Sequence, residues 1–119
     1  MKVRSLLRGH ALLAALMCTP LLASAQNAIL QITLQVDPAD RPAAVAVYTQ
    51  YKQPFLTRVP GAQAKELLVR DADVQVLHRF ETRQQAESYL SSDLFNKDVV
   101  VGLSPLLKAA PEVRIYSAN

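Results

Sequence analysis

Val76–Phe95 reads VLHRFETRQQAESYLSSDLF, and its period changes in the middle. From Val74 to Phe80 the side chains alternate. Val74, Val76, His78 and Phe80 take one face and Gln75, Leu77 and Arg79 the other, the two-residue repeat of a half-buried strand. Thr82 followed by Gln85 is a capping box, in which each side chain satisfies the other residue's free backbone N–H. Beyond it Ala86, Tyr89 and Leu90 have the spacing of the inward side of a short helix. A strand closing on His78 and Phe80 therefore runs directly into a helix that carries Tyr89.

Working outward, Gln26–Val36 alternates in the same way, with Leu30, Ile32, Leu34 and Val36 on one face. DPADRP breaks this strand. Asp37 or Asp40 can cap the following helix, and Pro38 and Pro42 suit its first turn. Ala44, Val47, Tyr48, Tyr51 and Phe55 form one apolar stripe through about Leu56, with a kink or stop expected at Pro54. Val59–Gly61 ends that segment. A second strand is expected over Ala62–Arg70, a tight turn at Asp71–Asp73 and an antiparallel return along Val74–Phe80. Ser92 or Asp93 caps another helix through LFNKDVVVGLS, ending near Pro105, and the last strand is Glu112–Ser117. The order β-α-β-β-α(α)-β is the split βαβ pattern of an α+β, ferredoxin-like sandwich with a four-stranded antiparallel sheet. Helices cover one sheet face. The other face is expected to associate with a second copy, making a homodimer.

Residues 1–25 have the layout of a Sec-type signal peptide: Lys2, Arg4 and Arg8, then an apolar stretch from Ala11 to Leu22, then Ala23-Ser24-Ala25. Cleavage after Ala25 leaves a single domain over 26–119, periplasmic or secreted, with no membrane association. The apolar stretch is short of the roughly 20 residues a spanning helix needs, which disfavours an uncleaved anchor. Met17 before Cys18 is too bulky for a lipid-attachment site. Of the thirteen basic residues in the chain three lie in this leader, so 26–119 holds ten of each sign. No basic run remains that could neutralise a nucleic acid backbone. Cys18 and His10 also lie in the leader, which leaves no cysteine and one histidine, His78. One His and no Cys cannot build a three- or four-ligand N/S zinc site within one chain, and no metal site is expected.

Several motifs together resemble the antibiotic biosynthesis monooxygenase family: Pro60-Gly61 before the second strand, Phe80 closing the third, Glu81-Thr82 with Ala86, the Ser92–Phe95 step, and Pro111 through Tyr116. The resemblance covers nearly all of 26–119. It implies a dimeric α+β barrel, formed by two copies through their open sheet faces, and an apolar cleft between sheet and helices walled by Tyr48, Tyr51, Phe80, Tyr89 and Phe95. It also implies chemistry without a cofactor, in which the anion of a small aromatic or quinol substrate passes an electron to O2 inside a dry site. The haem-degrading branch of the family is disfavoured, since Leu30 and Val99 stand where its Asn and His ligand belong.

His78 is the only side chain of 26–119 with an ordinary pKa near neutrality. In the catalytic reading it is the general base, with Tyr89 or Tyr51 positioning the phenol and Asn96 orienting the ligand. In the competing reading His78 is a satisfied core histidine, the tyrosines pack as any amphipathic helix requires, and Asn96 is simply exposed near a helix start. Arg79 and Arg114, on the opposite sheet face, fit polar dimer contacts. Two functions follow: a cofactor-independent monooxygenase acting on small aromatic or quinol compounds, or a non-catalytic periplasmic dimer that binds a small apolar or aromatic molecule or has a structural role.

Overall fold

A computed structural model describes residues 26–119; the expected signal peptide over 1–25 lies outside the described residues. Four strands form one antiparallel sheet in the order β2-β3-β1-β4: β1 Asn27–Leu34, β2 Ala62–Val69, β3 Val74–Phe80 and β4 Glu112–Ala118. Helix α1 (Arg41–Arg58) connects β1 to β2. Helix α2 (Arg83–Tyr89), the single turn α3 (Asp93–Phe95) and a π-helical segment (Asn96–Leu103) lie between β3 and β4. This is the α+β, ferredoxin-like βαββαβ arrangement that the alternation predicts. Among the described residues no helix is long and apolar enough to cross a membrane.

Register follows from which side chains can be dry. On β1, Ala28, Leu30, Ile32 and Leu34 are buried, and their partners on β3 are Phe80, His78, Val76 and Val74. A slip of one residue would exchange this row for Asn27, Ile29, Gln31 and Thr33. Phe55 of α1, Ala86 and Tyr89 of α2, and Val99 and Leu103 of the π-helical segment close the core from above. The opposite face carries Ile29, Leu77, Leu68 and Tyr116 among Gln31, Thr33, Gln75, Arg79 and Arg114. Leu68 and Tyr116 are 45% and 49% exposed, and Gln31 donates to Gln75 at 2.7 Å. That face is mixed rather than uniformly apolar.

The local signals hold where a single turn decides them. Gln85 N–H donates to Thr82 Oγ1 at 3.2 Å and Thr82 N–H to Gln85 Oε1 at 3.1 Å, so the capping box is complete. The β2–β3 turn is locked by a two-pronged bond from Arg70 to Asp73, at 2.7 and 2.9 Å.

Two expectations are corrected. Pro54 does not end its helix: α1 runs unbroken to Arg58. Pro54 lies within the last five residues of α1, where Phe55 packs fully into the core, and tertiary burial outweighs the one lost hydrogen bond. The helix expected beyond Phe95 is a π-helix, closed by Ser104 N–H donating to the Val99 carbonyl five residues back. Residues five apart then share a face, which turns both Asp98 and Leu103 inward. Gly102 lets this segment approach α1, since a Cβ there would lie 2.9 Å from Val47 Cγ1.

Gly61 ends the α1–β2 link with φ +80, a conformation open to glycine and costly for other residues. A Cβ at this position would also strike the Gln85 side chain that completes the capping box. Gly61→Ala is expected to lower stability by about 1–3 kcal/mol in urea unfolding. The double variant Gly61→Ala/Gln85→Ala should lose less than the sum of the two single losses, because the clash disappears with the amide.

Candidate functional site

The helix-facing side of β3 ends in His78 and Phe80, and Phe55 of α1 sits over both. Its ring centroid lies 5.1 Å from His78, 5.5 Å from Phe80 and 5.1 Å from Tyr89, each pair edge to face. Tyr89 in turn lies 5.5 Å from His78 and 5.4 Å from Phe95. Edge-to-face rings at such spacings attract beyond simple burial. The structure thus brings together His78, Phe80, Tyr89 and Phe95 as the sequence analysis expects. Tyr48 borders the same layer and donates its hydroxyl to the Lys65 carbonyl at 2.8 Å. Tyr51 is half-buried outside the core cluster and Asn96 is exposed on the outer side of the π-helical segment, so neither faces His78.

The layer also contains two residues that sequence reasoning did not single out. Lys65 of β2 and Asp98 of the π-helical segment form an ion pair at 2.8 Å with each residue only 2% exposed. The Lys65 ammonium lies 5.6 Å from the Tyr48 ring centre and 5.5 Å from that of Phe55. Burial lowers the Lys65 pKa and raises that of Asp98, and the attraction between the two opposes both shifts. A signal for this pair was present. Lys65 shares the apolar alternation of β2 with Leu67, and Asp98 precedes an apolar run, so each was a lone charge in a dry context with an opposite partner.

Lys65, His78 and Leu30 are direct cross-strand neighbours. His78 donates Nδ1–H to the Leu30 carbonyl at 3.3 Å, which leaves Nε2 as the ring's acceptor. Burial, reinforced by the Lys65 charge, lowers the His78 pKa to about 3. The imidazole is therefore neutral at physiological pH, with a free lone pair but little strength as a base. Burial also raises the Tyr89 phenol well above its ordinary value, and the Asp98 carboxylate adds to the shift. His78, Lys65 and Asp98 line a cavity of only about 10 Å³.

A much larger groove of about 760 Å³ lies on the other side of Tyr89, between the end of α1, α2 and α3. Val59, Pro60, Leu94 and Tyr89 give it apolar walls; Arg58, Gln84, Ser88 and Lys97 give it polar ones. Tyr89 is the residue shared by this groove and the buried layer. Among the described residues no cluster of three or more His, Cys, Asp or Glu could hold a metal ion.

Two stability experiments test this geometry. Lys65→Met alone should cost about 3–5 kcal/mol, because it strands a buried carboxylate, whereas Lys65→Met/Asp98→Leu should recover most of that loss in urea unfolding. His78 remains unprotonated in the fold down to about pH 3, while in the unfolded chain it takes up a proton near pH 6.5. Stability contributed by the neutral ring is thus complete above that value and is lost as the pH falls. The slope should approach about 1.4 kcal/mol per pH unit between pH 6 and 4. Urea midpoints of His78→Leu should lack this component relative to the unmodified protein.

No family model matches the sequence, and no curated protein matches it. Solved structures do share its fold. A Bordetella bronchiseptica protein provisionally described as an antibiotic biosynthesis monooxygenase is 14% identical, with a TM-score of 0.70 over 79% of this chain and 98% of its own. A Caulobacter crescentus protein with the same provisional description is 17% identical, with a TM-score of 0.69 over 80% and 92%. A Nitrosomonas europaea protein of unknown function is 15% identical, with a TM-score of 0.66 over 78% and 89%. At such identities the likeness speaks for architecture, and the described chain has the fold of the proteins described as antibiotic biosynthesis monooxygenases.

Proposed function

We propose that this protein is exported, assembles as a homodimer through its open sheet face, and binds a small aromatic molecule in the groove beside Tyr89. The observation that carries the reading is the contrast between two spaces. The groove of about 760 Å³ is within the range of small-molecule sites. The space beside His78, about 10 Å³, is far below the roughly 150 Å³ of a cavity that accepts benzene. An aromatic ligand thus has room against the outer side of Tyr89 and none against His78. Apolar walls with a few amides and hydroxyls suit a flat, weakly polar ring. Leu77 and Ile29 on the open sheet face give a second copy an apolar centre, and Arg79 and Arg114 supply polar contacts around it. The layout of residues 1–25 supports export.

Cofactor-independent oxygenation of a quinol held in the same groove is the second reading. It is supported by the position of Tyr89 between the groove and the buried polar cluster, and by the shared fold with proteins described as monooxygenases. In that reaction the substrate is the reductant: its anion passes an electron to O2, one oxygen atom ends in the product and the other in water. Tyr89 would position the substrate, and His78, buried and weakly basic in this arrangement, would take its proton only once Tyr89 moves aside.

The two readings separate in one set of measurements on the purified protein. Calorimetric titration with small phenols and quinols should give saturable binding, and Ser88→Trp, which fills the groove from its rim, should weaken it at least tenfold. Binding unaffected by Ser88→Trp would remove the groove from consideration. An oxygen electrode should record no turnover with bound quinols if the protein is a binder. Turnover that falls at least a hundredfold in His78→Ala would establish the oxygenase. Sedimentation at micromolar concentration should give a dimer.

A further inference from the structure

The buried layer holds three polar atoms with no hydrogen-bond partner among the described residues: His78 Nε2, Asp98 Oδ1 and the Tyr89 hydroxyl. Their residues are 1%, 2% and 2% exposed, so bulk water does not reach them. Native proteins rarely leave such atoms unpaired, because each costs about 1–3 kcal/mol.

The chemistry of these atoms is specific. His78 spends its N–H on the Leu30 carbonyl, so Nε2 can only accept. Asp98 Oδ2 takes the Lys65 ammonium, and Oδ1 can only accept while the pair is ionised. The Lys65 charge lies between Asp98 and the rings of Tyr48 and Phe55. His78 and Asp98 both border the same cavity of about 10 Å³. Two acceptors on one small space call for a donor; the Lys65 ammonium, which borders the same cavity, donates to Asp98 Oδ2.

We propose that this cavity is a site for an O–H donor. His78 Nε2 and Asp98 Oδ1 receive a hydroxyl-bearing guest, supplied either by solvent water or by the hydroxyl of a molecule held in the groove. The volume is at the lower limit for a single water, about 10–15 Å³; water has two protons to give, a ligand hydroxyl one. A ligand hydroxyl from the groove approaches His78 only if Tyr89, which lines the groove and packs against the His78 ring, moves aside. This second source rests on the groove reading above. The two acceptors favour a guest that carries a proton: phenols and alcohols can donate to them, while their methyl ethers and quinones can only accept.

NMR of uniformly 15N-labelled protein tests the site directly, with His78 identified by the ring signals that His78→Leu lacks. The expected result is an Nε2 resonance shifted from the position of a free imine nitrogen, with cross-relaxation between water and the His78 ring protons. Phenol and anisole then separate the sources. If phenol shifts the Ser88 and Leu94 amides and abolishes the water contact at His78 while anisole leaves it in place, the ligand hydroxyl is the donor. If phenol occupies the groove and the water contact persists, water is the donor. A free-imine Nε2 shift with no water contact, unchanged by phenol, overturns the proposal. Failure of phenol to perturb Ser88 and Leu94 counts against the groove alone, because the measurement on the unliganded protein still decides the cavity.

Discussion

The ion pair between Lys65 and Asp98 is the constraint on which the other features of the helix–sheet layer depend. Either charge left alone in a dry layer costs several kcal/mol, so the fold must bring the two together. Lys65 belongs to β2, an edge strand, and Asp98 to the π-helical segment packed above the sheet. Meeting this requirement sets the register of β2, because a slip of one residue would carry Lys65 to the open face and Glu66 inward. It also calls for an inward turn at Asp98, which the five-residue spacing of the π-helix supplies. The same charge, one strand from His78, helps to keep that imidazole neutral.

Around the pair lies a closed group of rings. Phe55 touches His78, Phe80 and Tyr89, and Tyr89 passes the contact on to Phe95. This packing explains why the most titratable-looking residue of the sequence is sealed. Tyr89 of the same group also forms part of the groove wall, so one side chain touches both the groove and the buried His78 ring. Movement of that phenol is the simplest way to connect them, and its hydroxyl, unpaired among the described residues, forfeits no hydrogen bond to them by moving.

How much of the site was legible varies residue by residue. His78, Phe80 and Tyr89 could be read because period two and the capping box fix which sides of β3 and α2 face each other. Tyr51 was placed in the cleft by family resemblance and misses it because a helical stripe is wider than the contact it makes. Asn96, which the sequence allowed either to orient a ligand or to be exposed near a helix start, is exposed. Pro54, expected to kink its helix or end the regular part, does not end it, since the local rule was outweighed by burial of Phe55 at the next position.

The order and type of the main elements, the inward faces of β1 and β3, the capped start of α2 and the glycine turn at Gly61 were determined by the sequence itself. Each depends on residues within one or two turns of one another, and local sterics and hydrogen bonding settle such features. Tertiary structure alone decided that Lys65 and Asp98 meet, that the segment after Phe95 is a π-helix, that His78 is sealed, and that the open space lies beyond Tyr89. Those outcomes depend on how much water each group loses when distant segments pack, and the energy of a charge or a ring nitrogen is set by that surrounding medium.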